Sequence, residues 1–274
     1  MRYAAAPHMP LKMTVGKQYR HGWLFGLNPI FYVIIHTMDE NLTNIYGKIV
    51  ATEIEYERSF FQLFNDSIML HQHANQYLEI DDFRSTLFRA SILNTLLIPE
   101  AVANICIEHL NLERSVYYEI DRLPVLAKFD YYLRTNFRNK FLDRGIVEIE
   151  GLKELKRLRD DYVHPKHSKI YWNIDENGSG TGECEKTKLL KFNKAPSFWE
   201  KDDSFLAMVT VHRFLHYFFM TKCRFTKAKV ASLLFSLSHD PNEKDYKIPC
   251  WPKSFKEELK SQGITIDYVK IIWY

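Results

Sequence analysis

Residues 153–166 read Lys-Glu-Leu-Lys-Arg-Leu-Arg-Asp-Asp-Tyr-Val-His-Pro-Lys, and this stretch decides how the rest of the chain is organised. Apolar residues recur through it every three or four positions, which is the spacing of one buried helical stripe. The helix is expected to stop near Val163, because Pro165 cannot donate a backbone hydrogen bond and disfavours an α conformation of His164. His164 is therefore predicted at a helix C-terminus, where the helix dipole favours an imidazolium. The predicted stripe is Ile149, Leu152, Leu155, Leu158, Tyr162 and Val163.

Arg159 lies five positions before His164, so on an ideal helix their side chains point roughly 140° apart. Two arrangements would still bring an arginine and a histidine together. In one, distortion before Pro165 swings His164 back towards Arg159. In the other, two copies of the chain share a site, so that two Arg/His sets face one cleft. The second is favoured, since an isologous dimer brings the same patch of both partners together.

The hexapeptide Arg-Asp-Asp-Tyr-Val-His at 159–164 resembles the signature of the HEPN superfamily: an arginine, a polar residue, three variable residues and a histidine, late in a helical bundle. Residues 83–110 and 123–145 resemble that family's two preceding helices, and the resemblance covers roughly residues 59–169. It implies a dimeric, metal-independent endoribonuclease without a cofactor, often found in toxin–antitoxin pairs or antiviral systems. The implied partners are an RNA substrate, a second copy of the chain, and an antitoxin or defence-system protein.

Two positions depart from the family pattern. Asp160 stands where many members carry asparagine, and a carboxylate facing an RNA phosphate is useful only if it orients Arg159 or His164. Lys166 stands where a subgroup carries a tyrosine whose modification silences the enzyme. That mode of regulation is therefore not expected here.

The chemistry that the resemblance implies can be assigned to residues. Metal-free cleavage needs the substrate's 2′-hydroxyl as nucleophile, a base for its proton, a cation for the charge on the phosphate, and an acid for the leaving 5′-oxygen. His164 suits proton transfer, and Arg159 suits the charge because a guanidinium grips phosphate oxygens in a bidentate fork. Asp160 is expected to orient them, and the products are a 2′,3′-cyclic phosphate and a 5′-hydroxyl. The candidate substrate-binding residues are Lys166, His167, Lys169 and Arg138.

Two other interpretations of the motif stay open. In one, Arg159 pairs with an acid on its own helix and His164 only caps that helix. The chain is then a non-catalytic helical module that dimerises or binds a partner protein or nucleic acid. In the other, the chain is a nucleotide-binding sensor of a defence system. The acids available to Arg159 on its own helix are Glu154, Asp160 and Asp161.

Composition limits the classes of protein. With 274 residues, 46% hydrophobic and 26% charged, the chain is typical of a globular protein with its own core. The net charge of +3 is too small to indicate a nucleic-acid-binding protein, so any affinity for RNA must come from a local basic patch. Its cysteines are far apart and form no Cys-x-x-Cys pair, which indicates a reduced, cytoplasmic protein without a zinc site. They are Cys106, Cys184, Cys223 and Cys250.

The predicted fold is mainly α: a HEPN-like helical bundle with a small β-hairpin insertion and C-terminal helices packed on the core. The apolar run at 23–35 is expected to be a buried or interface segment rather than a membrane anchor, because Asn28 and Pro29 interrupt it and about 20 residues are needed to cross a bilayer. The predicted regions are a leader at 1–40, the HEPN-like core at 41–170, the hairpin insertion at 171–195 and the C-terminal helices at 196–274.

Local signals place individual elements and exclude one metal site. Pro99 is expected to kink or break the helix that starts at Asp81 or Asp82. His71 and His73 are expected at the surface. His212 and His216 stand four apart on one helix face, but without an evident third ligand they are assigned to packing. The other expected elements are helices at 41–75, 123–142 with Gly145 at the end, 203–220 with Asp203 as its cap, 226–237 and 254–261, and an extended arm at 264–274.

Overall fold

The computed structural model describes residues 13–15, 33–35, 59–77, 82–164, 167–235, 247–261 and 266–274. Within these ranges the protein is mainly helical, as predicted. The sixth α-helix (Lys201–His216) continues directly into a π-helix, Tyr217–Cys223. A short 3-10 helix, Pro196–Phe198, precedes that α-helix. The α-helices are α1 (Ser59–Gln76), α2 (Asp82–Glu108), α3 (Arg114–Asp121), α4 (Val125–Asn136), α5 (Val147–Val163), α6 (Lys201–His216), α7 (Lys227–Phe235) and α8 (Lys253–Ser261).

In the described ranges the strands form three small sheets. The expected hairpin is confirmed: its two strands pair antiparallel, with Trp172 opposite Gly182. The first two strands lie within the predicted leader and pair antiparallel with each other, and the second also pairs with the fifth. The last two strands pair parallel near the C-terminus. The strands are β1 (Met13–Val15), β2 (Val33–Ile35), β3 (Ile170–Ile174), β4 (Gly180–Cys184), β5 (Lys247–Ile248), β6 (Cys250–Trp251) and β7 (Ile272–Trp273).

Helix α2 is the centre of the bundle, where it packs against α1, α4 and α6. Its buried face includes Ile92, Val102 and Cys106, all fully buried. Pro99 lies inside the helix and does not break it, so of the two predicted effects, a kink or a break after Ile98, the break is wrong. A proline inside a helix costs about 3 kcal/mol. Packing of both halves of α2 against neighbouring helices offsets that cost.

Of the helices that the structure describes, α2 is the one long and apolar enough to cross a bilayer. However, 61% of the most apolar 18-residue stretch of α2 is buried inside the fold. The core helix of a soluble protein has this property too. The structure is thus compatible with a soluble protein, and the cytoplasmic location stays a prediction.

The helix expected at 123–142 is shorter than predicted. It ends at Asn136, and Phe137 adopts an extended conformation. The chain then folds back, because the carboxylate of Asp130 accepts a hydrogen bond from the backbone N–H of Leu142 at 2.8 Å. Gly145 therefore lies in the turn before α5 and does not end the preceding helix.

Two further assignments are corrected. The cap of α6 is Glu200, and Asp203 is its capping-box partner in the first turn. His71 is fully buried, so its assignment to the surface is wrong. Helix α1 is described only from Ser59, so the first part of the helix expected at 41–75 lies outside the described residues. The expected helix near 254 is confirmed as α8.

Candidate functional site

Helix α5 carries the motif and ends where the sequence predicts. Val163 is its last residue, and His164 is its C-cap, whose N–H donates to the Asp160 carbonyl at 2.9 Å. The side chain of His164 is exposed to solvent. Pro165 and Lys166 lie outside the described residues, so nothing tests the predicted phosphate contact of Lys166.

The upstream part of the α5 stripe is confirmed, but its last turn is not. Ile149, Leu155 and Leu158 are buried between α5 and its neighbours. Tyr162 and Val163 were predicted to continue this stripe, yet they are 40% and 53% exposed. The final turn of α5 therefore extends past the core and presents its apolar side chains to solvent.

Arg159 is held by two carboxylates. Its Nη2 donates to Oε2 of Glu100 on α2 at 2.8 Å, and its Nε lies 3.4 Å from Oδ1 of Asp160. Asp160 also accepts a hydrogen bond from Lys156. Asp160 therefore contacts Arg159, and its orienting role stays a prediction. The cluster contains two cations and two anions, so Arg159 is not an isolated positive charge.

Arg159 and His164 do not meet within one chain. Arg159 is 22% exposed, faces α2 and lines a small cavity of about 20 Å³ there. His164 lies at the open end of α5. No hydrogen bond or ion pair joins the two side chains, both of which are described. This agrees with the 140° separation expected from their spacing on a helix.

A cleft of about 590 Å³ lies beside the C-terminal end of α5. It brings together His167 and Lys169, two of the predicted substrate-binding residues, with Tyr162 from the motif. Lys194 also lines it and pairs with Glu185 at 2.8 Å. This ion pair raises the pKa of Lys194, through the hydrogen bond from its ammonium to Glu185, so Lys194 stays charged. The cleft is thus a mixed aromatic and charged site of a size typical of small-molecule pockets.

Tyr162 forms the aromatic wall of this cleft. Its ring stacks on Trp199 with centroids 5.7 Å apart and planes 23° apart. Trp199 is fully buried, and its indole N–H donates to the carbonyl of Asn193 at 2.7 Å. Phe192 also packs edge-on against Trp199, with ring centroids 5.8 Å apart. The exposed face of Tyr162 is therefore fixed in position, which sequence analysis missed because it assigned Tyr162 to the core.

Glu154 fixes the segment that supports this wall. Its carboxylate accepts the backbone N–H groups of Leu189 and Leu190 at 2.8 and 2.9 Å. Partial burial by itself raises the pKa of Glu154, but these hydrogen bonds outweigh that effect and hold it below its usual range. The segment that leads to Trp199 is thereby tied to the middle of the motif helix.

The hairpin of β3 and β4 begins directly after the motif. Trp172 lies across Gly180 and Gly182, where an added Cβ would meet its ring at 3.4 and 3.3 Å. Its ring is 63% exposed, and Ile174 is 71% exposed. The hairpin is therefore an apolar surface beside the motif and not part of the core.

Arg138, another predicted substrate-binding residue, is exposed in the segment between α4 and α5. This segment leads to the first turn of α5, whereas His164 caps the other end of that 17-residue helix, which is about 25 Å long. Within one chain Arg138 does not line the cleft of Tyr162.

Elsewhere, a Ser–His–Glu array resembles a hydrolase triad but is buried. Nδ1 of His71 lies 3.0 Å from Oγ of Ser204, and its Nε2 lies 3.2 Å from Glu258. The Ser204 hydroxyl is fully buried and donates to Ser91, so no substrate reaches it. The array joins α1, α6 and α8 and serves the fold.

The described residues contain no group of three metal-ligating side chains. Nδ1 of His212 contacts the Tyr268 hydroxyl at 2.7 Å, and His216 pairs with Asp267 at 3.2 Å, so both histidines have protein partners. No protein-family model, curated protein or solved structure matches the chain. The HEPN assignment therefore stays a resemblance carried by residues 159–164.

Proposed function

We propose that the protein is a metal-independent endoribonuclease of HEPN type, in which Arg159 and His164 are catalytic and Asp160 orients the arginine. The observation that carries the proposal is the position of the motif at the open end of α5. There His164 is exposed and Tyr162, two residues before it, forms the wall of a cleft. A toxin–antitoxin or antiviral role is part of the same proposal.

The proposed reaction needs no group beyond the protein and its substrate. One His164 imidazole takes the proton of the 2′-hydroxyl, whose oxygen attacks the adjacent phosphorus. The bond from phosphorus to the 5′-oxygen breaks, and a protonated His164 gives that oxygen its proton. The Arg159 guanidinium stabilises the charge on the phosphate oxygens. The products are a 2′,3′-cyclic phosphate and a 5′-hydroxyl.

A homodimer would complete the site. Arg159 and His164 of one chain do not converge, so two histidines and two arginines facing one cleft are the simplest composite site. The exposed apolar surface beside the motif supports self-association, since large exposed apolar side chains mark interaction sites. It consists of Tyr162, Val163, Ile170, Tyr171, Trp172 and Ile174.

The cleft next to the motif suits a nucleotide flanking the cleaved bond. A base can stack on Tyr162, whose ring is braced from behind by Trp199. His167 and Lys169 lie on the same cleft, where they can contact the neighbouring phosphates.

The test is incubation of the purified protein with a labelled tRNA pool in excess chelator. The His164→Ala and Arg159→Ala variants are compared with two matched controls, His73→Ala on α1 and the exposed Arg157→Ala on α5. Loss of a proton-transfer group costs roughly 10²- to 10⁴-fold, and loss of a charge-stabilising donor roughly 10²- to 10³-fold. We expect cyclic phosphate ends from the wild type and both controls. Cutting that survives in His164→Ala would refute the assignment.

The second candidate is a non-catalytic helical module that dimerises or binds a partner. The ion pairs of Arg159 with Glu100 and Asp160 favour it, because they use the guanidinium within the fold. A dimeric, folded wild type that cuts no RNA, and whose Arg159→Ala variant loses only stability, would support this module.

A further inference from the structure

A second and larger cleft, of about 750 Å³, lies near the C-terminus. It is bounded by the start of α7, by α8 and by the last strand, β7. No residue that lines it also lines the cleft of Tyr162. Any ligand of this cleft is therefore bound by a separate set of side chains.

Four lysines surround this cleft. Lys227 comes from α7, Lys256 and Lys260 from α8, and Lys270 from the segment before β7. Each is exposed, and no ion pair to a carboxylate is found for any of them within the described part of the chain. Among the described residues that line the cleft, Asp267 is the one carboxylate, and it faces His216 at 3.2 Å.

The charge of the whole chain shows how unusual this concentration is. The formal net charge of all 274 residues is +3. Four lysines against one acid give this cleft a local charge of the same size. Clefts lined by one sign of charge focus the field and attract ligands of the opposite sign.

The interior of the cleft is apolar and has one fixed aromatic ring. Leu259 and Val269 are buried beneath it. Trp273 forms a wall, and its ring is braced edge-on by the buried Trp251 with centroids 5.7 Å apart. The ammonium of Lys256 lies 5.6 Å from the centre of the Trp273 ring. A cationic rim thus stands directly beside an aromatic surface.

We propose that this cleft binds a single-stranded RNA segment, with phosphates on the four lysines and one base stacked on Trp273. Such a combination of a cationic groove and an aromatic platform is how single strands are bound without sequence preference. The inference rests on the proposed function for the choice of RNA. A phospholipid surface fits less well, because the lysines surround a concavity that the plane of a bilayer does not fill.

The experiment measures binding of a fluorescein-labelled, mixed-sequence 12-nucleotide RNA to the full chain carrying His164→Ala, over a range of KCl concentrations. Each phosphate neutralised on a single strand contributes about 0.7 to the slope of log K against log salt. Four lysines therefore contribute about 2.8. We expect the triple variant Lys256→Gln, Lys260→Gln, Lys270→Gln to reduce the magnitude of that slope by about 2.

Trp273→Leu separates stacking from charge. Loss of one stacked base weakens binding roughly 5- to 150-fold, and the salt slope stays unchanged. The matched control is the double variant Lys188→Gln, Lys191→Gln, which changes two exposed lysines that do not line the cleft. We expect this control to keep the contribution of the cleft to the salt slope. Thermal unfolding of each variant tests whether it is folded. If Trp273→Leu does not fold, the triple lysine variant still tests the inference, because the three lysines are exposed.

Three outcomes would overturn the inference. The first is a triple variant that binds RNA with the same salt slope as the control pair, and the second is competition by poly-glutamate as strong as that by unlabelled RNA. The third is a triple variant that loses binding to phosphatidylserine vesicles but keeps its RNA binding. The result is separable from the proposed function. Weaker RNA binding by the triple variant stands even if the wild type cuts no RNA. If the wild type cuts RNA and the triple variant binds RNA as tightly as before, the cleft is not an RNA-binding site, while the proposed nuclease function stands.

Discussion

Arg159 on α5 and Glu100 on α2 are 59 residues apart in sequence and form an ion pair at 2.8 Å across the interface of the two helices. A phosphate that reaches Arg159 must therefore replace Glu100 or share the guanidinium with it. The pair is partly exposed, with 22% of the Arg159 side chain and 41% of the Glu100 side chain accessible. Exchange of one anion for another is thus sterically open.

Glu100→Gln tests this competition. We expect tighter RNA binding in the His164→Ala background, by several-fold, because the amide no longer neutralises Arg159. The loss of stability should stay within about 1 kcal/mol, since partly exposed ion pairs contribute little. Glu150→Gln, which removes the partner of Lys153 on the same helix, is the control. Unchanged or weaker RNA binding by Glu100→Gln would favour the interaction module.

Local signals in the sequence were sufficient for the end of the motif helix and for the hairpin. Pro165 and the turn-rich stretch between β3 and β4 determine both within a few residues. The partner of Arg159 could not be predicted in the same way, because Glu100 becomes its neighbour only when α2 packs near α5. Tyr162 has apolar spacing, but spacing does not reveal that α5 extends past its neighbours. His71 was misplaced for the same reason: α8 covers it from the far end of the chain.

Gly151 allows α5 and α6 to approach closely. A Cβ at this position would lie 2.9 Å from Cγ2 of Thr210 and 3.5 Å from Leu190. We expect Gly151→Ala to destabilise the protein by roughly 1–2 kcal/mol, because the clash with Thr210 exceeds the gain of up to about 1 kcal/mol in helix propensity. The free energy of unfolding in urea measures this.

Thr210→Ser should rescue Gly151→Ala. Serine removes Cγ2 but keeps the hydroxyl, which donates to the Leu206 carbonyl at 2.8 Å. The double variant should therefore be more stable than Gly151→Ala alone. Additive effects of the two substitutions would show that the contact is not what limits the approach of the helices.

The buried array around His71 fixes the direction of its hydrogen bonds. Ser91 donates to the Ser67 carbonyl at 2.5 Å and Ser204 donates to Ser91 at 2.9 Å. His71 must then donate to Ser204 through Nδ1, which leaves Nε2 to face Glu258. Burial by itself raises the pKa of Glu258, but the hydrogen bond from His71 and nearby positive charge hold it below its usual range. His71 therefore links α6 to α8 through Ser204 and Glu258.

His71→Ala should therefore cost about 1–3 kcal/mol, because it leaves the buried Ser204 hydroxyl and the partly buried Glu258 without their partner. Glu258→Gln should cost less, since the amide can still form a hydrogen bond with His71. Nitrogen NMR of the His71 ring gives an independent check, as Nδ1 should carry a proton. A cost below about 1 kcal/mol for His71→Ala would contradict the donor assignment.

His212 makes the stability of the protein depend on pH, since it is buried as a neutral ring. Burial lowers its pKa from 6.5 to about 3, and its Nδ1 contacts the Tyr268 hydroxyl at 2.7 Å. The unfolded chain thus binds a proton at a higher pH than the folded protein does. The contribution of neutral His212 is fully present above about pH 6.5 and is lost as pH falls towards 3.

Between pH 7 and pH 5 this linkage should remove about 2 kcal/mol of stability. His212→Asn keeps a side-chain partner for Tyr268 near the position of Nδ1, but the asparagine does not titrate. The difference in unfolding free energy between wild type and variant should therefore narrow by about 2 kcal/mol between pH 7 and pH 5. Urea unfolding at pH 7, 6 and 5 measures it, with His73→Asn as the control for a histidine that is not fully buried. A difference between wild type and His212→Asn that stays constant with pH would mean that His212 is not buried in its neutral form.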